Sequence, residues 1–366
     1  MTPKIKKLFA HFKQEGGLFV RNISRAICIA VILNLLFGYL FYLAERDTQP
    51  DLTLGDSIWW AMVTMTTVGY GDFSATTTIG RFIISYLCMI IGIGIIGYLI
   101  GFIAEHILQT ISRTRRGLME IFDENHIIIC NFPGENKIQE IIQEIRTIPE
   151  HQTSSIVIIS DVLEELPEKT RESDILFIKG NPTDENILLK ANILKSSGVI
   201  ILADESKSGA ADERSFTIGA IIELLEKVHD TSIKTIVEVQ SRKNFRLINR
   251  SNVDGMISDD GITSRLLVQE FLNPGIYGII QQLLSNNLGS QFFIIPSDLI
   301  GYKLVDLQMA IIKHPLNIQI VGIFQHGKII LNPPKTLIIE KGDRLILLAE
   351  NENDFDEIEK IILEQS

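Results

Sequence analysis

Within the 366 residues, the run Thr67-Val68-Gly69-Tyr70-Gly71-Asp72 offers the most specific chemistry, and it is the chemistry of the backbone. Gly69 and Gly71 accept backbone angles that a β-carbon forbids, so successive carbonyl oxygens can turn to one side. Rings of such oxygens can replace the water around a cation, and the Thr67 hydroxyl can add an innermost ring. One loop cannot encircle an ion, so several copies of the chain must converge on it. Ahead of the loop, Asp56 or Ser57 is the expected cap of a short amphipathic helix, Ile58 to Met65, too short to cross a bilayer. Trp59, Trp60 and Tyr70 are expected to form an aromatic cuff that holds the loop open.

Two apolar segments flank this loop, each near the roughly 20 residues that a crossing needs. Ala26 to Ala44 is interrupted only by Asn34, and Phe82 to Ala104 carries no charge. Basic residues set the orientation. Lys4, Lys6, Lys7, Lys13, Arg21 and Arg25 precede the first span, and Arg113, Arg115 and Arg116 follow the second. Both termini are therefore expected in the cytoplasm, in a multi-pass protein of the cell membrane. Gly92-Ile93-Gly94-Ile95-Ile96-Gly97 spells G-x-G-x-x-G, but it lies inside an uncharged span, without the strand, helix start and acid of a dinucleotide fingerprint. Gly92 and Gly94 instead read as close packing or as hinge candidates. Glu105, at the end of the inner helix, would form a ring of carboxylates that concentrates cations.

Composition separates the chain into two parts. It is 46% hydrophobic and 22% charged, with mean hydropathy +0.21. Residues 1–118 carry 11 Lys and Arg against 7 Asp and Glu, and the remainder 23 against 38. A basic, oily front and an acidic rear argue against a nucleic-acid partner and for a membrane part bearing a water-soluble module. Cys28, Cys88 and Cys130 each lie in apolar runs, which excludes a disulfide framework. Beyond residue 118, short apolar strands (126–130, 155–160, 175–178, 198–202, 234–239) alternate with helices (136–146, 163–171, 184–191, 215–228). That alternation predicts a parallel, Rossmann-like sheet covered on both faces.

The loop resembles the potassium-channel signature residue for residue. Gly180-Asn181-Pro182-Thr183, Leu189 to Ile193 and Gly198 to Ile201 resemble the RCK domain, the regulator of potassium conductance that gates prokaryotic potassium channels. Gly261 to Leu267 fits its dimer-forming region, and Leu331 to Pro334 with Glu340 to Leu345 its small C-terminal lobe. The order is that of the calcium-gated two-span channels. The resemblance implies a membrane α-helical tetrameric pore, two spans plus pore helix, joined to a cytoplasmic α/β Rossmann-like RCK domain with a small α+β C-terminal lobe. The expected limits are 1–111 for the pore, 112–118 for the linker, 119–288 for the N-lobe and dimerising helices, and 289–366 for the C-lobe. In that family eight such domains form a ring beneath a four-subunit pore, and ligand binding pulls the inner helices apart; for this chain a gating ring of four or eight domains is expected. Met119 could supply free ring domains by internal initiation.

Potassium is thus the expected permeant ion, and calcium or an adenine nucleotide (NAD, ADP or ATP) the candidate ligand. For the nucleotide, Gly134 is what remains of the glycine-rich turn, and Asp161 stands where a ribose-binding acid belongs. For the metal, the resemblance implies carboxylates at two strand ends. Glu238 keeps one such position, Gln240 and Leu202 replace two others, and Asp204 and Glu205 are the substitutes at hand. Asp343 and the acidic stretch Glu350 to Glu359 form a third candidate. No turnover chemistry is expected. The rival readings are a membrane-tethered NAD-binding enzyme and a regulatory component of a potassium uptake system. The first lacks an intact fingerprint, and the second would have no pore of its own.

Overall fold

The computed structural model describes residues 3–171, 174–204, 210–285, 289–351 and 354–364. Glu205 therefore lies outside the described residues. The chain divides into two compact units, 1–112 and 113–366.

The first unit is helical. Helix α1 (Pro3–Glu45) is followed by α2 (Leu54–Met65), an extended loop, a π-helical turn at Gly80–Ile84 and α3 (Ser85–Arg115). The stretches Val20–Glu45 and Gly80–Arg115 are long and apolar enough to cross a membrane. At about 1.5 Å per residue each exceeds the roughly 30 Å hydrocarbon core. Their side chains are largely exposed in the single chain, Phe82, Ile90 and Ile100 among them, as expected of surfaces that meet lipid or other subunits.

Helix α2 begins earlier than its sequence suggests. Thr53 caps it, accepting from the Asp56 N–H at 3.2 Å, while the Asp56 carboxylate accepts the Thr53 N–H at 3.1 Å. This reciprocal box places Asp56 in the first turn and satisfies two amides that otherwise lack partners. The capping role expected of Asp56 or Ser57 thus belongs to Thr53. Phe37, Phe41, Leu52, Trp60, Ala61, Met65, Ile84 and Cys88 form the core among these helices.

The second unit opens with a six-stranded sheet of β1 (Ile127–Cys130), β2 (Ile156–Ser160), β3 (Ile175–Lys179), β4 (Gly198–Ile201), β5 (Thr235–Glu238) and β6 (Gly255–Ile257). All neighbours are parallel, in the order β3-β2-β1-β4-β5-β6 of a doubly wound fold. Helices α4 (Glu135–Thr147), α5 (Glu185–Lys190), α6 (Ala211–His229) and α7 (Phe245–Ile248) connect the strands. Ile128 and Cys130 enter one core cluster, Ile127 and Ile129 the other, so the central strand is buried on both faces. The helix expected over 163–171 does not form. Only a 3-10 turn, Glu168–Thr170, is present, because Pro167 disfavours the helical region for Leu166 before it.

Helices α8 (Ile262–Leu272) and α9 (Ile276–Leu284) follow, and neither has a buried residue. The last lobe is an antiparallel sheet of β7 (Gln291–Pro296), β8 (Gln319–Gln325), β9 (Lys328–Leu331) and β10 (Arg344–Ala349), ordered β7-β10-β8-β9. Helices α10 (Leu304–Lys313) and α11 (Asp354–Glu364) complete it, with Leu299, Leu304, Ile323, Leu347 and Phe355 in its core.

Candidate functional site

The loop grows out of the end of α2. The Thr66 hydroxyl donates to the Met62 carbonyl at 2.7 Å, and the N–H groups of Val68 and Gly69 both reach the Val63 carbonyl, at 3.0 and 3.2 Å. From there every second residue lies in the left-handed region. Thr67 and Gly69 have φ of 60° and Gly71 has 76°, while Val68 and Tyr70 stay at negative φ. Such alternation turns successive peptide planes so that their carbonyls fall on one side, the arrangement that coordinates a dehydrated cation. Glycine makes the conformation accessible at two of the three positions. Thr67 adopts it at a cost of about 1–2 kcal/mol.

Trp59 fastens the outer end of the loop. Its Nε1–H donates to Asp72 Oδ2 at 2.8 Å, and its ring stacks on Tyr70 with centroids 5.9 Å apart and planes 7° apart. Trp60 does not join this cuff. It stacks on Phe41 of α1 at 3.7 Å and is buried in the core, because neighbours on a helix point about 100° apart.

Beyond Asp72 the chain is tied to the end of α1 by Glu45, a residue that no motif in the sequence marks. The Glu45 carboxylate is fully buried and accepts from the N–H groups of Thr76 and Thr77, at 2.8 and 3.0 Å, and from both their hydroxyls. The Thr48 hydroxyl and the Gln49 amide also donate to it, at 3.3 and 3.0 Å. A lone acid at the end of a span, facing the threonine run 76–78, is the signal that could have revealed it.

On the inner helix, Gly92 is buried against the end of α2. A β-carbon there would lie 2.5 Å from the Met65 Cα, so packing accounts for this glycine. Gly94 faces open space, and α3 runs unbroken through both. Glu105 is exposed and accepts from the Gln109 amide at 3.1 Å.

In the second unit, Gly134 stands at the N-cap of α4, directly before Glu135 in the first helical turn. Asp161, after β2, is engaged by Arg214 of α6, whose Nη2 donates to Oδ1 at 2.9 Å. Arg214 Nε also donates to Asn131 Oδ1 at 3.0 Å, and the Asn131 amide donates to the Leu202 carbonyl at 2.8 Å. These contacts lace together the carboxyl ends of β1, β2 and β4, where a doubly wound sheet normally takes its ligand. Sequence reading had not singled out Arg214. Burial pushes the Cys130 thiol up to about 12, against the pull of the Arg214 charge, so it stays a protonated core residue.

Of the metal candidates, Asp204 and Glu238 fall among the described residues. Glu238 pairs with Lys137 of α4 through one oxygen and accepts the Ala203 N–H through the other at 3.0 Å. Asp204 is buried, and no group of three His, Cys, Asp or Glu suited to a metal occurs among the described residues. In the C-terminal lobe Asp343 closes a turn, accepting from the Glu340 N–H and the Gln325 amide, each at 2.8 Å. Glu359 of α11 accepts from the Ser297 hydroxyl and the Asp298 N–H, each at 2.8 Å.

Comparison with known proteins matches every part of this architecture. Residues 27–109 match a family described as ion channel, and residues 122–239 the RCK domain of slowpoke-like calcium-activated potassium channels. Residues 260–364 match the middle part of Castor and Pollux, described as part of a voltage-gated ion channel. The calcium-gated potassium channel TvoK of Thermoplasma volcanium is 27% identical over 339 residues, covering 92% of this chain and 94% of its own. The putative potassium channel protein YugO of Bacillus subtilis is 25% identical over 325 residues, covering 87% and 94%. A solved structure titled GsuK channel bound to NAD is 14% identical with a TM-score of 0.47; the likeness covers 90% of this chain and 57% of that one. Over nearly its whole length, therefore, the chain is similar in sequence to potassium channels, with an ion-channel match in front and an RCK-domain match behind it.

Proposed function

We propose that four copies of this chain surround a potassium-selective pore in the cell membrane, and that a ligand on the RCK domain sets whether the pore opens. The observation that carries this reading is the loop 67–72, with its alternating left-handed residues, held between a pore helix and an inner helix. Both termini lie in the cytoplasm on this reading, since the basic residues cluster outside the two spans. The exposed apolar residues Leu267, Phe271 and Leu284 of α8 and α9 support assembly of the RCK domains, in a ring of four or eight, beneath the pore. The limits are 1–111 for the pore and 112–118 for the linker, with the RCK lobes over 119–288 and 289–366. Movement of the ring reaches the inner helix through that linker, with Gly94 as the bend and Glu105 at the inner mouth. A ligand moves such a gate only by its differential affinity for the two states of the ring.

Two ligand classes fit different observations. The calcium-gated relative supports a divalent cation as the ligand, with Asp204, Glu205 and Glu238 as the candidate residues. Such an ion must displace Lys137 from Glu238. The strand-end network supports an adenine nucleotide, with Arg214 available to a phosphate and Asp161 to a ribose once their own contact opens.

Recording from purified protein in a planar bilayer tests both levels. Potassium current carried by the wild type and lost in Gly69→Asp supports the pore, and persistence of selective current in that variant overturns it. Calcium, then NAD or ADP, added to the RCK side decides the ligand. A response to calcium that Glu238→Gln removes supports the metal reading. A response to nucleotide alone, removed by Asp161→Asn, supports the other.

A further inference from the structure

We propose that Gly117 is a positioning residue for gating: it latches the end of the inner helix onto the edge strand β3, so the sheet passes its movement to the pore through β3 and not along the chain into β1. The inference deepens the gating reading above and rests on it. Helix α3 ends in a Schellman cap, in which the Gly117 N–H donates to the Thr114 carbonyl at 3.1 Å and the Leu118 N–H to the Arg113 carbonyl at 3.0 Å. Gly117 takes the left-handed angle that such a cap needs, with φ of 66°. The last turn of α3, from Arg113, belongs to the second compact unit.

The cap is seated on the sheet. Gly117 is buried, whereas Arg113 to Arg116 and Leu118 around it are exposed. Strand β3 lies at the edge of the six-stranded sheet, where N–H groups lack a strand partner, and the Gly117 carbonyl accepts the Lys179 N–H at 2.9 Å. A β-carbon at 117 would lie 2.4 Å from the Lys179 nitrogen and 2.9 Å from the Ile178 carbonyl carbon, so the space as well as the angle demands glycine. Beyond the latch the chain is tied down separately. The Ile121 N–H donates to the Lys190 carbonyl and the Asn125 N–H to the Lys195 carbonyl, each at 2.8 Å. The Asn192 amide donates to the Asp123 carbonyl at 2.9 Å, and Ile121 packs against the core of the sheet. The helix thus meets the sheet at β3 before the chain reaches β1. A packed junction between two rigid elements transmits a displacement that a slack chain would absorb.

The test records the full-length channel in planar bilayers and reads the ratio of open probabilities with and without calcium, NAD or ADP on the RCK side. It compares Gly117→Ala, a Gly-Gly-Ser insertion between Leu118 and Met119, and the two combined. Gly117→Ala is expected to cut the ratio by about tenfold, the size of an ordinary coupling between sites. The insertion lengthens the chain only behind the latch, so alone it should stay within about twofold of wild type. In Gly117→Ala only the chain is left to carry the movement, and the same insertion should then cut the ratio further, a dependence that a merely structural glycine would not produce. Glu164→Gln removes the exposed partner of the Lys179 side chain, leaves the Lys179 N–H in place and should stay within about twofold. An insertion that alone cuts the ratio as far as Gly117→Ala overturns the inference, and so does a Gly117→Ala channel with the wild-type ratio. If Gly117→Ala does not assemble, the insertion alone decides: silence supports the latch, and a loss beyond twofold overturns it. A conducting wild type that answers none of the three compounds overturns the ligand reading instead. Hydrogen exchange at the Lys179 amide then decides the latch, being about tenfold faster in Gly117→Ala if it holds and equal in both proteins if it does not.

Discussion

The pore unit and the carboxyl edge of the parallel sheet both engage their carboxylates, Glu45 fully buried and Asp161 and Glu238 partly exposed, yet they draw the partners mainly from different groups. Glu45 is surrounded by neutral donors drawn from backbone and hydroxyl groups. Asp161 and Glu238 face cations, Arg214 and Lys137, delivered by helices α6 and α4. The difference matters for what each place can do. A charge met by backbone N–H groups is fixed as firmly as the chain itself, which suits a filter that must keep its spacing. A charge met by a mobile side chain can be surrendered to a competing ligand, which suits a domain that must change state. The same contrast runs through the glycines. Gly69 and Gly71 shape the conduction loop directly, whereas Gly134 is a lone survivor at a helix start whose own first turn carries Glu135.

Perturbations of graded size can break or sharpen this contrast. The largest effect is expected from Gly69→Asp, which puts a β-carbon and a charge where φ is 60°; potassium-driven thallium flux into liposomes should vanish while the assembled complex survives detergent electrophoresis. Next, Gly92→Ala forces a β-carbon against the Met65 backbone and should cost the pore unit about 1–3 kcal/mol, seen as earlier dissociation of the assembly on heating. In the RCK domain, Arg214→Ala leaves Asp161 and Asn131 without their shared donor. Hydrogen exchange at the ends of β1 and β2 should speed up by an amount worth about 1–3 kcal/mol, with exchange in α2 unchanged. The smallest effect belongs to Lys227→Gln on α6, whose side chain is 68% exposed where it pairs with Glu223 one turn away; its loss should shift a urea midpoint by less than about 0.5 kcal/mol of stability.

The fold was legible wherever the chain repeats a simple physical pattern. Short continuous apolar runs such as Ile127 to Cys130, rich in β-branched residues, read as strands buried on both faces, and alternation with helices then points to a parallel sheet. The 163–171 stretch misled because its apolar spacing suits a helix while Pro167 blocks it. Trp60 misled for a different reason: adjacency in sequence was taken for adjacency in space, and a helix separates neighbours by about 100°.

What composition and local motif determined is the class of molecule: two spans, a carbonyl-lined loop between them, and an acidic α/β module behind. Those features depend on contiguous residues, and backbone conformation is a local property that Gly69 and Gly71 carry with them. Whether a charged group is free or already taken is not local. Glu45 meets Thr76 and Thr77 across about 30 residues, Arg214 reaches Asp161 across 53 and Lys137 reaches Glu238 across 101. No spacing rule links such partners, because it is the packing of separate helices and strands that brings them within hydrogen-bond reach.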